Sequence, residues 1–169
     1  ALICTAILYL KNTCGREASA RWSMRWKSVS LKKGMPIEFQ LETLVKQEGE
    51  QESFLYEGMG QIVEMGDWLY LRYIEAETAI PVTFKLSREG KMTIIRRMEQ
   101  TSRMTFDAEG KGMAMVPTPA GLMEIETITH KMLLEFKEKP FAGKVTLHYE
   151  LQMNEQKLGD YRIELQFTT

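Results

Sequence analysis

The chain has 169 residues and a mass of 19.6 kDa; it is 44% apolar and 27% charged, enough for one folded domain with its own core. Lys plus Arg (22) nearly balances Asp plus Glu (23), and the net charge of −1 excludes a strongly basic nucleic-acid binder or a polybasic membrane-surface protein as the default reading. No apolar run approaches the roughly 18 residues that cross a bilayer as a helix.

The balance breaks near residue 34. Lys11, Arg16, Arg21, Arg25, Lys27, Lys32 and Lys33 stand against Glu17 alone, a net +6, which leaves −7 for Met35 to Thr169. Cys4 and Cys14 also lie in the first segment, with Trp22 and Trp26. Its opening, Ala1 to Leu10, is apolar but lacks a leading Met, a basic start and a small-residue cleavage site, so a secretory signal is disfavoured. Residues 1–34 are therefore expected to be an N-terminal extension, poorly structured and of non-native origin, with Met35 as the natural start. Two cysteines make neither a disulfide framework nor a metal quartet. The cysteine-free remainder fits a reducing cytoplasm, the expected location.

From Met35 the pattern has period two. Ile37, Phe39, Leu41 and Val45 oppose Glu38, Gln40, Glu42 and Lys46, and after Gln47-Glu48-Gly49-Glu50 come Phe54, Tyr56, Gly58, Gly60 and Ile62. Gly66-Asp67 turns the chain into Leu69, Leu71 and Tyr73, set against Trp68, Tyr70 and Arg72. Val82, Phe84 and Leu86 alternate next, and Arg88-Glu89-Gly90 is a hairpin turn. Met92, Ile94 and Met98 follow, then Met104 and Phe106, with a turn at Asp107-Ala108-Glu109-Gly110. Pro117 and Pro119 mark a loop or an edge. Between Gly121 and Lys139 the parity switches, from Met123 and Ile125 to Ile128, Met132, Leu134 and Phe136, which predicts a bulge or bend. Val145, Leu147, Tyr149, Leu151 and Met153 alternate cleanly, and Asn154-Glu155 turns them into Tyr161, Ile163, Leu165 and Phe167.

The expectation is an all-β domain, residues 35–169, of about nine to ten antiparallel strands in an up-and-down meander. Closing the meander into a barrel removes its exposed edges; a β-sandwich is the rival.

Gly58-Met59-Gly60 through Leu69-Tyr70-Leu71-Arg72-Tyr73-Ile74-Glu75 resembles the YwiB-like family of small calycin-type (lipocalin-like) β-barrel proteins from Firmicutes. Ile94-Ile95-Arg96-Arg97, Arg103-Met104-Thr105-Phe106, Thr118-Pro119-Ala120-Gly121, Glu124-Ile125-Glu126-Thr127 and the run from Gly143 to Leu151 extend the likeness over Met35 to Thr169. One departure is the missing aromatic before the Thr-Pro segment, near Met115-Val116. The resemblance implies a calycin-like barrel and no chemistry, since the family is classed as of unknown function.

The residues themselves supply little chemistry. His130 and His148 are the two histidines, and no nucleophile elbow is present. His148 and Glu150 share a strand face and could join His130 at a metal, but outward alternation explains them, and no metal or cofactor is expected. Glu75 with Glu77, and Glu124 with Glu126, read as solvated faces rather than an acid–base pair. Gly58-Met59-Gly60 lacks the following helix of a dinucleotide loop and suits a bend. No catalytic residue is assigned and no enzyme is expected. The informative set is Arg72, Arg96, Arg97 and Arg103, cations in otherwise apolar strands. An inward Arg beside a Tyr can hold a carboxylate or phosphate at the end of an apolar cavity. The candidate ligand-binding residues are Arg72, Tyr73, Glu75, Arg97 and Met104, with further methionines lining the cavity. The expected function is non-enzymatic binding of a small, partly apolar, anionic ligand in the barrel, without nucleic acid or membrane. The alternative is a side-chain-filled barrel that pairs with a protein, a second copy in a homodimer included.

Overall fold

The computed structural model describes residues 34–169 and contains ten strands. They are β1 (Met35–Gln47), β2 (Glu50–Met65), β3 (Trp68–Ile74), β4 (Pro81–Ser87), β5 (Lys91–Arg96), β6 (Ser102–Asp107), β7 (Lys111–Thr118), β8 (Gly121–Glu138), β9 (Phe141–Met153) and β10 (Gln156–Thr168). Each pairs antiparallel with the next, and β1 pairs with β10 from Glu38 opposite Thr168 to Lys46 opposite Asp160. The meander is thus a closed barrel, not a sandwich. Among the described residues no helix is long and apolar enough to cross a membrane. The expectation for the N-terminal extension lies, but for Gly34, outside the described residues.

Alternation is what makes these strands. On β3, Leu69, Leu71 and Tyr73 are buried while Trp68, Tyr70 and Arg72 are half-exposed. Met92 and Ile94 on β5, Phe106 on β6 and Leu147, Tyr149 and Leu151 on β9 point to the same interior. Aromatic rings fill much of it. Phe106 and Tyr149 lie 4.6 Å apart, Tyr149 and Tyr161 5.1 Å, and Phe39 and Tyr73 4.5 Å. Spacings of this order suit tilted or offset rings, which add to the area they bury.

Two long strands bend the sheet. β2 pairs with β1 through Ile62 and with β3 from Gln61 onward, and β8 passes from β7 to β9 around residues 126–128. At the first corner Gly60 has no side chain because a Cβ there would sit 2.7 Å from the Arg72 carbonyl oxygen. The parity switch in β8 is a bulge at His130, where the register shifts between Thr129 opposite Tyr149 and Lys131 opposite His148. One extra residue carries β8 from Thr127 and Thr129 inward to Met132, Leu134 and Phe136 inward. Ile128, grouped by sequence with the later set, lies before the bulge and faces out. Likewise β5 ends at Arg96, short of Met98.

The wall is thinnest between β6 and β7, whose ladder joins only Arg103 with Met115 and Met104 with Ala114. Just below, Gly112 leaves room for Thr127 on β8 to reach past β7 and donate from Oγ1 to the Thr105 carbonyl on β6, at 2.7 Å.

Candidate functional site

The inward arginine is Arg96. It follows Met92 and Ile94 in the alternation of β5, and its Nη2 donates to both carboxylate oxygens of Glu75, at 2.8 and 2.7 Å. Glu75 also accepts from Thr78 Oγ1 at 2.6 Å, inside the β3–β4 turn. Tyr56 Oη braces the same turn, accepting from the Ala76 amide at 2.9 Å and donating to the Ile74 carbonyl at 3.2 Å. Tyr73 is buried next to this pair against Phe39 and Tyr56. Burial pushes its hydroxyl pKa up, and Glu75 adds to the rise while Arg96 opposes it. Arg96 Nε is buried without a hydrogen-bond partner. Ser102 stands opposite Arg96 on β6, with Met104 two residues on, half-buried against the core. Tyr73, Glu75 and Met104, three of the five candidate residues, therefore lie on the inner side near one end of the barrel.

Arg72 and Arg97 adjoin Tyr73 and Arg96 in the chain but face outward. Arg72 alternates outward between Leu71 and Tyr73, and Arg97 follows the inward Arg96, its amide donating to the Pro81 carbonyl at 3.0 Å. The correction has a legible cause. Lys91 and Thr93 share the parity of Ile95 and Arg97, and a lysine at the start of β5 marks that face as the solvated one.

Arg72 and Arg97 instead belong to an outer wall. Outward on β3–β6 and the residue after β5 stand the cations Arg72, Lys85, Lys91, Arg97 and Arg103, against the single carboxylate Asp107, which is paired in register with Lys91. A register row runs Gln61, Arg72, Thr83, Ile95, Arg103, Met115 across β2–β7. Among the described residues no carboxylate lies within ion-pair distance of Arg72, Lys85, Arg97 or Arg103. Partial burial lowers the Arg72 pKa, and the nearby Arg97 charge lowers it further. Aromatic faces take the place of carboxylates. Lys85 Nζ sits 4.1 Å from the Trp68 ring centre and 5.7 Å from that of Tyr70, while the Arg72 guanidinium lies 5.4 Å from Tyr70.

A third cluster sits on the outer face of β8–β10. The bulge brings His130 Nε2 to 2.9 Å from Glu150, which also accepts from the Gln152 amide, and Lys157 Nζ lies 3.5 Å from Glu150 and 2.7 Å from Asp160. The His130 hydrogen bond, above all, holds the Glu150 carboxyl below its usual range. His130, Glu150 and Asp160 offer ligand atoms within 4.8 Å of one another, but the Lys157 ammonium already bridges the two carboxylates as their cation. His148 faces Arg162 and Lys131 in register and makes no such contact. Finally, a groove of about 960 Å³ crosses β2, β1, β10, β9 and β8, where acids (Glu38, Glu57, Glu135) mix with bases (Lys137, Lys144).

Residues 39–165 match a family model described as "Domain of unknown function (DUF1934)". The chain is also similar to the crystal structure of the YwiB protein from Bacillus subtilis, at a TM-score of 0.67 and 17% identity, over 85% of this chain and 97% of that one. At that identity the likeness carries the fold. No curated protein matches.

Proposed function

The chain belongs to the DUF1934 family, whose description assigns no activity, and from that premise we propose that it is a non-enzymatic binding protein meeting an anionic partner through the outer wall of β3–β6. The observation that carries this reading is the set Arg72, Lys85, Arg97 and Arg103, cations that among the described residues have no carboxylate partner and that lie on neighbouring strands of a domain whose body is net acidic. An unneutralised set of this kind carries a standing field that an anion relieves. The aromatic packing of the barrel favours a side-chain-filled interior over an open one. A cysteine-free body supports action in the cytoplasm.

The test is retention on a heparin column at neutral pH. Despite a net charge of −1, the protein is expected to be retained, and Arg72→Glu with Arg103→Glu to elute at clearly lower salt. Flow-through of the parent protein, or unchanged elution of the variant, would reject the outer wall.

A second reading rests on Arg96 Nε, a buried donor without a partner among the described residues. It places a small, partly apolar carboxylate at the barrel end, held by Arg96 beside Tyr73, Glu75 and Met104. Arg96→Met separates the two readings, since it abolishes this site and leaves heparin retention intact.

A further inference from the structure

The class of anion is indicated by what lies between the cations. Along β3 Trp68, Tyr70 and Arg72 face outward ahead of Ile74, one every second residue and so about 6.7 Å apart. Lys85 lies over both rings and Arg72 over the second, so aromatic faces and positive charges alternate within a single patch. Thr83, Thr93 and Thr105 add hydroxyls on β4, β5 and β6. An acidic polypeptide would answer the charges and leave Trp68 and Tyr70 unmatched. A nucleic-acid strand offers both features in every unit: a phosphate for the cations and a flat base for the rings. In a duplex the base faces are buried in the stack, and a convex barrel wall cannot follow a groove. A single strand has its faces free and bends to the surface.

Resting on the outer-wall reading above, we infer that the outer wall of β3–β6 binds single-stranded nucleic acid, with Arg97 and Arg103 on phosphates, Lys85 and Arg72 swinging from the rings onto phosphates, and Trp68 and Tyr70 then meeting bases. Contacts of this kind position the strand without reading its sequence. The body's charge of −7 argues against nucleic acid only when spread evenly; a ligand meets the local wall, where cations prevail.

The test titrates the full-length chain into a labelled single strand of about 12 nucleotides and follows fluorescence anisotropy across a salt series. Four phosphate contacts predict that log affinity falls with log salt at a slope of about −3. Arg72→Glu with Arg103→Glu is expected to weaken binding at least tenfold and flatten that slope. Trp68→Ala is expected to weaken it several-fold with the slope unchanged, because stacking releases no counterions. Lys144→Glu, on the opposite side of the barrel, is expected to change neither, which separates the wall from the rest of the barrel surface, and replacing Lys32 and Lys33 by Gln is expected to leave the effect of the Arg72 and Arg103 reversal unchanged. Arg97→Gln serves as a milder variant should the double reversal fail to fold by circular dichroism.

Polyglutamate binding at the wall without oligonucleotide binding would assign an acidic polypeptide and overturn the nucleic-acid inference, leaving the outer-wall reading in place. Oligonucleotide binding that survives the loss of Arg72 and Arg103 would overturn the inference too, as would tighter binding of duplex than of single strand. Binding of neither polymer would remove both readings.

Discussion

Arg96 and Glu75 are adjacent to the core with only 18% and 21% of their side chains exposed, so each charge depends on the other. Glu75→Gln leaves the guanidinium with a weaker acceptor and is expected to cost about 2 kcal/mol in urea unfolding. Combining it with Arg96→Met should recover part of that loss; an additive double variant would show that the pair is not coupled. The buried tyrosines make a pH prediction. Burial raises the pKa of Tyr149, next to Tyr161, and of Tyr73, next to Glu75, above the ordinary value of 10.0. Below that value the folded and unfolded chains both hold these protons. Above it the unfolded chain releases them first, so stability falls as pH rises past about 10. The urea midpoint should therefore be level up to about pH 9 and drop beyond, and Tyr149→Phe should shrink the drop. A midpoint that is steady into strong alkali would contradict this. Which arginine faces inward was hard to see in the sequence, because Ile94-Ile95-Arg96-Arg97 offers one apolar residue and one cation to each face. Lys91 and Thr93, on the parity of Arg97, are the one local cue, and the neighbouring strands, with Val82 and Ser102 opposite Arg96, settle it.

Most strands were legible, since period-two alternation survives wherever one face is buried and the other wet. The bulge was visible as a parity switch, but its place was not. Ile128 is apolar and lies outside, and the extra residue, His130, is identified by its bond to Glu150 on β9, a contact 20 residues away in sequence. The short β6–β7 ladder had no sequence signature, because it depends on Gly112 and the hydroxyl of Thr127 acting across a strand. A Cβ on Gly112 would lie 2.1 Å from the Thr105 carbonyl oxygen and 2.7 Å from Thr127 Oγ1. Backbone cannot step aside cheaply, so Gly112→Ala is expected to destabilise by about 3 kcal/mol, whereas Gly49→Ala, in an open turn, should cost less and act through its φ of +82°. Equal losses at the two sites would remove the special role given to β7.

At the scale of the molecule, closure was expected from the meander and is achieved through nine β1–β10 pairs. A closed wall opens first where it is least stitched. Hydrogen exchange should therefore be fastest, among strand amides, along β6 and β7, where two pairs join the strands, and slowest around β9, flanked on both sides by long ladders. Early exchange at β1–β10 would instead make the closing ladder the weak one. That closing ladder has a topological consequence. Because Glu38 stands opposite Thr168, the two ends of the barrel domain emerge side by side, and the ten strands form a necklace with no privileged first bead. A short peptide linking Thr169 back to Met35 would let the chain begin instead at a tight turn such as Arg88-Glu89-Gly90, a circular permutation that keeps every ladder and leaves the outer wall's side chains where they are.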